Sequence, residues 1–359
     1  MNDSDSLDIL FLDSWFADRA RGSGSAVAIA GLADGLRSLG HRVTILRPRT
    51  RIGSSNLTRI VANIGFRTRV RSLAADLIVG FDLDGCFLGR SSAPYVVALK
   101  GVAADELRYE RGWTRARFRL LSRLERRNAR AADRVVVTSE HSRRVAIVAY
   151  GLEPEGVGVV PEGIDVETWA GFSRAGQPEG PAPSIVSVAR QYRRKNTAVL
   201  VRAMVTVREA VAGVRLTVLG DGPELPRLRA LVKSLNLSDT VELVGAVESA
   251  REVRAQLARA NVFCLPSRQE GFGIVFLEAM AAGLPIVAAE CGAVPETAPD
   301  GEVSVLVDPD DVEGLAATLI RLLKNPGLRD RLAAGGAARW SRFGWPEVAE
   351  RFLSEVGFG

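Results

Sequence analysis

PSRQEGFGIVFLEAMAAGLPIVAAECGAVPE (266–296) is the stretch whose reading decides the fold. It leaves a short apolar run, NVFCLPS (261–267), crosses a glycine-bearing loop, enters a helix-forming run and then a second apolar run, LPIVAA (284–289). Strand, loop, helix, strand is the repeating unit of a parallel α/β sheet. Gly271 and Gly273 permit close backbone approach to a ligand, and GIVFLEAMAAG begins a helix there. Unpaired N–H groups at such a helix start suit an anion such as a diphosphate. Glu270 precedes the helix and Glu278 follows eight positions on. Carboxylates beside a phosphate site accept hydrogen bonds from sugar and ribose hydroxyls. The same residues also read as a plain strand–loop–helix with a surface acid and a capping acid, so the choice needs a second motif.

SVARQYRRKN (187–196) is that motif. Arg190 leaves an apolar run and Lys195 follows five positions later. Two cations at a strand end can clamp a diphosphate, Arg as a fork and Lys as a point charge. Alone, the segment reads as a solvated basic loop. Two such segments after strands of one domain favour a ligand site, because open parallel sheets bind ligands at the carboxyl ends of their strands.

Outward from these motifs the alternation continues. LDILFLD (7–13), HRVTIL (41–46), DLIVG (76–80), PYVVALK (94–100) and DRVVVTS (133–139) read as strands of a first series. SAVAIAGLADGLRSLG (25–40) reads as a helix between the first two, and residues 106–132 as one long basic helix. GFSRAGQPEGPAP (171–183) has a linker's composition. A second series follows: SIVSVAR (184–190), VRLTVLG (214–220), TVELVG (240–245) and the two runs quoted first. The chain thus predicts two doubly wound domains, 1–170 and 171–344, with a last helix in 345–359.

Composition narrows the class. The 359 residues are two to three domains' worth at roughly 150 each. Apolar residues make up 47% and charged residues 25%, which excludes general disorder. No apolar run reaches the roughly 18 residues of a membrane span, and the start, MNDSDSLDIL, does not read as a secretory signal. Three scattered cysteines and two histidines argue for a reducing cytosol and against a metal cage. The net charge of +5 lies wholly in residues 1–170, which hold 25 basic and 20 acidic residues. Residues 35–75 contain nine arginines and no acid, and 108–130 add nine more arginines.

With these motifs in place, the chain resembles the retaining nucleotide-sugar glycosyltransferases of glycosyltransferase family 4. VVPEGIDVETW (159–169), LGDGPELPRLRALVKSLNLSDTVELVGAV (219–247), EGFGIVFLE with its two glutamates, and VDPDDVEGLAATLIRLLKNP (307–326) carry the likeness over nearly the whole chain. The resemblance implies a GT-B fold: two Rossmann-like domains facing across a cleft, the last helix packing back on the first. It implies that Arg190 and Lys195 hold the donor diphosphate, Glu270 contacts donor-sugar hydroxyls and Glu278 holds the ribose. Backbone amides of Gly271, Phe272, Gly273, Ile274 and Val275 would meet sugar and phosphate. In RGSGSAVAIAGLADGLRSLGHRV (21–43), Gly24 would approach the donor phosphate with Ser23 at the preceding glycine position. No cofactor or metal is expected, since the cations and the helix end neutralise the leaving diphosphate. GSGSAV lacks the third glycine of a dinucleotide loop.

The likeness has gaps. Many members carry a histidine after the strand read here as PYVVALK, where this chain has Lys100-Gly101-Val102. Lys100, Asp105 and Glu106 are the acceptor-side candidates in its place, and equally read as a loop and helix cap. His41 reads as a turn residue and His141 as structural or acceptor-side. PEGID carries Glu162 where asparagine is commoner, with no chemical consequence legible in the sequence. The expected partners are a nucleotide-sugar donor and a hydroxyl acceptor, with no nucleic acid. The basic first half points to an anionic or lipid-linked acceptor, or to peripheral contact at the inner face of a membrane by Arg-rich helices bearing Trp113, Phe118, Leu120, Leu121 and Leu124. A solvated arginine face explains the same composition. The rival functions are a nucleotide-sugar-binding protein without transfer activity, and a sugar phosphorylase or hexose-phosphate synthase on the same fold.

Overall fold

Among the described residues, twelve short strands form two separate six-stranded parallel sheets. The structure is a computed structural model that describes residues 6–15, 24–48, 55–91, 93–170, 172, 182–247 and 249–358. Ser23 and most of the predicted linker at 171–183 lie outside the described residues. The chain divides into two units: one runs to Gly163 and takes in Phe343 onward, and the other spans Ile164–Arg342.

In the first unit the sheet order is β2-β1-β3-β4-β5-β6. The strands are β1 (Asp8–Leu12), β2 (Arg42–Leu46), β3 (Leu77–Phe81), β4 (Tyr95–Leu99), β5 (Arg134–Val137) and β6 (Val157–Val159). Every residue of β3 (LIVGF) and β4 (YVVAL) is buried. That fits a parallel sheet covered on both faces, whose strands read as unbroken apolar runs. Helices α1 (Gly24–Ser38), α2 (Ser55–Val70), α3 (Ala103–Glu106), α4 (Gly112–Ala131) and α5 (Glu140–Tyr150) connect them. The helix predicted over 106–132 therefore starts later: α3 ends at Glu106 and α4 runs over Gly112–Ala131. The break falls before Gly112, whose φ of 55° no L side chain adopts readily.

The last helix, α14 (Trp345–Glu355), packs along α1 in this unit. A side chain at Gly31 or Gly35 would collide with Trp345, so Gly31 admits its indole and Gly35 its backbone carbonyl. Arg351 Nε donates to the Val159 carbonyl at 2.9 Å, and Arg134 Nε to the Glu355 carbonyl at 2.5 Å.

The second unit repeats the plan with order β12-β11-β10-β7-β8-β9. Its strands are β7 (Ser184–Val188), β8 (Arg215–Leu219), β9 (Val241–Gly245), β10 (Val262–Leu265), β11 (Ile286–Ala289) and β12 (Ser304–Val307). Its helices are α6 (Val166–Ala170), α7 (Thr197–Ala210), α8 (Leu225–Ser234), α9 (Ala250–Arg259), α10 (Ile274–Ala281), α11 (Val294–Thr297), α12 (Val312–Lys324) and α13 (Pro326–Ala337). Leu200, Met204 and Val207 of α7 pack with Leu315, Leu319 and Leu322 of α12 over Ile185, Leu216 and Val262 of the sheet. β6 and β12 were not expected. Both are edge strands, VGV of three residues and SVLV of four, and their short apolar runs were not read as strands.

Each order reverses once. In the first unit the reversal lies between β1 and β3, and in the second between β7 and β10. Such a reversal opens a crevice at the strands' carboxyl ends, where doubly wound sheets hold ligands.

Candidate active site

Both motifs of the second half end at its reversal point. SVARQYRRKN leaves β7, EGFGIVFLE leaves β10, and β7 and β10 are paired neighbours. Arg190 is exposed two residues beyond β7. Residues Arg193–Lys195 form one 3-10 turn, closed by Asn196 in the left-handed conformation (φ 57°) before α7 begins. The turn aims Lys195 at the neighbouring loop. Its Nζ donates to Oε1 and Oε2 of Glu270 at 2.7 and 2.8 Å, and Ser267 Oγ donates to Oε1 at 2.7 Å. Glu270 is 5% exposed. Two residues that the sequence offers separately, 75 positions apart, thus form one shielded ion pair.

Neighbouring side chains hold the two loops together. The Arg268 N–H donates to the Arg194 carbonyl at 2.7 Å, and its guanidinium reaches Asn196 Oδ1 at 3.3 Å and pairs with Asp310. That pairing keeps the Asp310 carboxyl below its usual range. Asn196 Nδ2 donates to the Pro309 carbonyl at 2.6 Å. Sequence reasoning missed Asn196, Ser267, Arg268 and Asp310. Asn196, Ser267 and Arg268 lie inside the two quoted motifs, close enough in sequence to have been suspected, whereas Asp310 lies far from both.

Gly273 caps α10 with φ 88°, and no side chain caps that helix. A Cβ there would lie 2.6 Å from the Phe276 ring. Phe272 is buried and its carbonyl accepts from Thr297 Oγ1 at 2.9 Å, while Gly271, Ile274 and Val275 are half-buried. Glu278 is one turn further along α10 and half-buried. Burial raises its carboxyl to about 7, partly offset by Arg254. Arg254 itself lies 5.9 Å from the ring centres of both Trp169 and Phe172.

In the first unit Gly24 opens α1, exposed, with room for a Cβ. Lys100 follows β4 and is 3.0 Å from Glu162, with side chains 7% and 4% exposed. Asp105 is buried and meets His141 Nε2 at 3.0 Å, while Glu106 is half-buried. His41 Nδ1 accepts from the Leu7 N–H at 3.2 Å, a turn contact. Of the five apolar residues offered for a membrane face, Trp113 and Leu120 are exposed, Leu121 and Leu124 half-buried, and Phe118 buried in the unit. Phe118 is thereby removed from that face.

The profile described as "Glycosyl transferases group 1" matches residues 172–339, and that described as "Glycosyltransferase Family 4" matches 22–168. A GDP-mannose-dependent alpha-(1-6)-phosphatidylinositol monomannoside mannosyltransferase of Mycolicibacterium smegmatis is 30% identical over 87% of this chain and 81% of its own. The chain belongs to the group 1, family 4 glycosyltransferases. A like-named mannosyltransferase of Mycobacterium tuberculosis is 30% identical over 75% of this chain and 74% of its own. Sucrose-phosphate synthase from Thermosynechococcus elongatus superposes with a TM-score of 0.81 at 22% identity, covering 96% of this chain and 97% of that one. Anabaena HepE, solved with UDP and glucose, gives 0.76 at 19% identity over 98% and 99%. These likenesses establish the GT-B fold.

Within this glycosyltransferase the two departures noted at the sequence level turn out to be one. Lys100 is paired with Glu162. A buried lysine needs a compensating acid. Glu162, whose carboxyl burial raises and Lys100 lowers, supplies it.

Proposed function

We propose that this glycosyltransferase moves a sugar from a nucleoside diphosphate to an acceptor hydroxyl, with retention at the anomeric carbon and without a metal. The observation that carries the reading is the Lys195–Glu270 pair at the second unit's reversal point, beside the uncapped start of α10. Lys195 and the exposed Arg190 supply positive charge for the leaving diphosphate, and the α10 N–H groups add to it. Glu270 offers its carboxylate to sugar hydroxyls and Glu278 to the ribose. Retention follows from front-face attack, in which the donor's phosphate oxygen helps to take the acceptor proton, so the protein's part is positioning and charge stabilisation.

The relatives named for GDP-mannose and phosphatidylinositol mannosides support a mannosyl donor and a lipid-linked acceptor. Peripheral membrane contact fits α2, which turns Leu57, Val61 and Ile64 outward and Arg59 and Asn63 inward, with Arg67 and Arg69 near its end. Among the described residues no helix is long and apolar enough to cross a membrane.

A transfer assay in EDTA with GDP-mannose, UDP-glucose and other nucleoside-diphosphate sugars tests the reading. Transfer by the wild type, and its loss by about a thousandfold in Lys195→Ala and Glu270→Ala, is the expected result. Wild-type activity in both folded variants contradicts it.

A further inference from the structure

The first unit's reversal point, between β1 and β3, carries its own set of side chains, and none of them is among the sequence-level candidates. After β1 come Asp13, Ser14 and Trp15, and after β3 come Asp82 and Asp84. The inward face of α2 adds Arg59 and Asn63. Asp84 is fully buried: it accepts from the Ser14 N–H at 2.7 Å, from Asn63 Nδ2 at 2.8 Å and from Ser14 Oγ. Arg59, with a side chain 5% exposed, donates from Nε to Ser14 Oγ at 3.0 Å. Its Nη2 is 3.6 Å from Asp82 and 3.9 Å from Asp84, with no hydrogen-bond partner. Asp82 takes a positive φ of 57° and accepts the Lys100 N–H at 2.9 Å, which joins this cluster to the Lys100–Glu162 pair.

This machinery converges on one half-buried side chain. Trp15 is fixed three ways: its N–H donates to Asp13 Oδ1 at 2.9 Å, its indole Nε1 to Asp82 Oδ2 at 3.1 Å, and the Arg59 guanidinium covers one face at 4.1 Å from the ring centre. Buried charges are costly to assemble and are characteristic of functional sites when they converge on a crevice. Here they immobilise an aromatic ring at the place where such sheets hold ligands.

We propose that Trp15, with Asp82 at its edge, is a stacking site for a neutral polyhydroxylated ring, a pyranose or cyclitol, belonging to the acceptor. One face of such a ring is a patch of C–H groups that suits an indole, and its rim is hydroxyls that donate to a carboxylate. Asp13, Asp82 and Asp84 outnumber Arg47 and Arg59, which face them, and this disfavours a phosphoryl group at this spot, so any acceptor phosphate lies elsewhere. The inference deepens the transferase reading and rests on it for the word acceptor, but the binding itself involves no donor.

Saturation-transfer NMR on the full chain without nucleotide tests it, with myo-inositol, methyl mannoside, methyl glucoside and inorganic phosphate as probes. The ring probes are expected to bind the wild type, and Trp15→Leu to weaken that binding at least about tenfold, or ~1.4 kcal/mol. Trp15→Phe, which keeps a flat ring, is expected to retain most of it. Thermal melting verifies that both variants are folded, and Trp15→Phe carries the test if Trp15→Leu is not. No ring probe bound by the wild type, phosphate bound in preference to the rings, or equal affinity in Trp15→Leu overturns the proposal. A failed transfer assay beside intact ring binding overturns only the transferase reading.

Discussion

Lys195 and Glu270 show what one pair of side chains contributes. Lys195→Met leaves Glu270 shielded with Ser267 as its remaining partner, and should cost about 3 kcal/mol of stability. Lys195→Met/Glu270→Met should recover most of that loss in denaturant unfolding but none of the transfer. Glu278 makes a pH prediction. Because burial raises its carboxyl to about 7, the folded chain binds that proton more tightly than the unfolded chain. Its stabilising contribution is whole below the ordinary carboxylate range and is lost as pH climbs through about 7. Between pH 5 and pH 8 the wild type should lose on the order of 2 kcal/mol relative to Glu278→Gln, a value discounted for the half-buried side chain. A flat difference across that range contradicts it. The sequence names these residues because their types and spacing carry the chemistry. It does not reveal that Lys195 meets Glu270, or that Glu162 answers Lys100, since both contacts join strand ends far apart in the chain.

At the scale of elements, α10 is the most exposed to a single change. Gly273→Ala forces an L residue into φ 88° and brings its Cβ against Phe276. The expected cost is about 1–3 kcal/mol, with donor affinity down by about tenfold or more as the helix start shifts. Calorimetric titration and thermal melting read the two effects. Ten strands were legible as apolar runs because parallel strands are buried on both faces, as β3 and β4 are. β6 and β12, three and four residues long at sheet edges, were not read as strands, whereas the five-residue edge strands β2 and β9 were. The predicted helix over 106–132 failed at Gly112, where backbone conformation prevails over a basic pattern that is otherwise helical. The Trp15 cluster was invisible for a related reason. Asp13, Asp82 and Arg59 lie on three different elements, and no spacing in the chain announces that they share a reversal point.

For the whole molecule, the one-sided charge and the doubled sheet divide the labour. The second unit holds the proposed donor site with its charges paired locally, and the first holds the basic excess. If that excess meets anionic lipid, sedimentation with phosphatidylinositol-containing vesicles should fall steeply between 50 mM and 500 mM salt, and Leu57→Ser/Ile64→Ser should weaken it. Salt-independent binding, or binding equal to that of neutral vesicles, contradicts membrane contact. The central claim, a nucleotide-sugar site at the β7–β10 reversal, is tested most directly by thermal melting with a panel of nucleoside-diphosphate sugars in EDTA, wild type beside Lys195→Met. A donor that binds only the folded chain raises its apparent stability by mass action. The account predicts a clear rise in melting temperature with at least one donor, absent from the variant. A flat response to every donor, or the same rise in the variant, contradicts it.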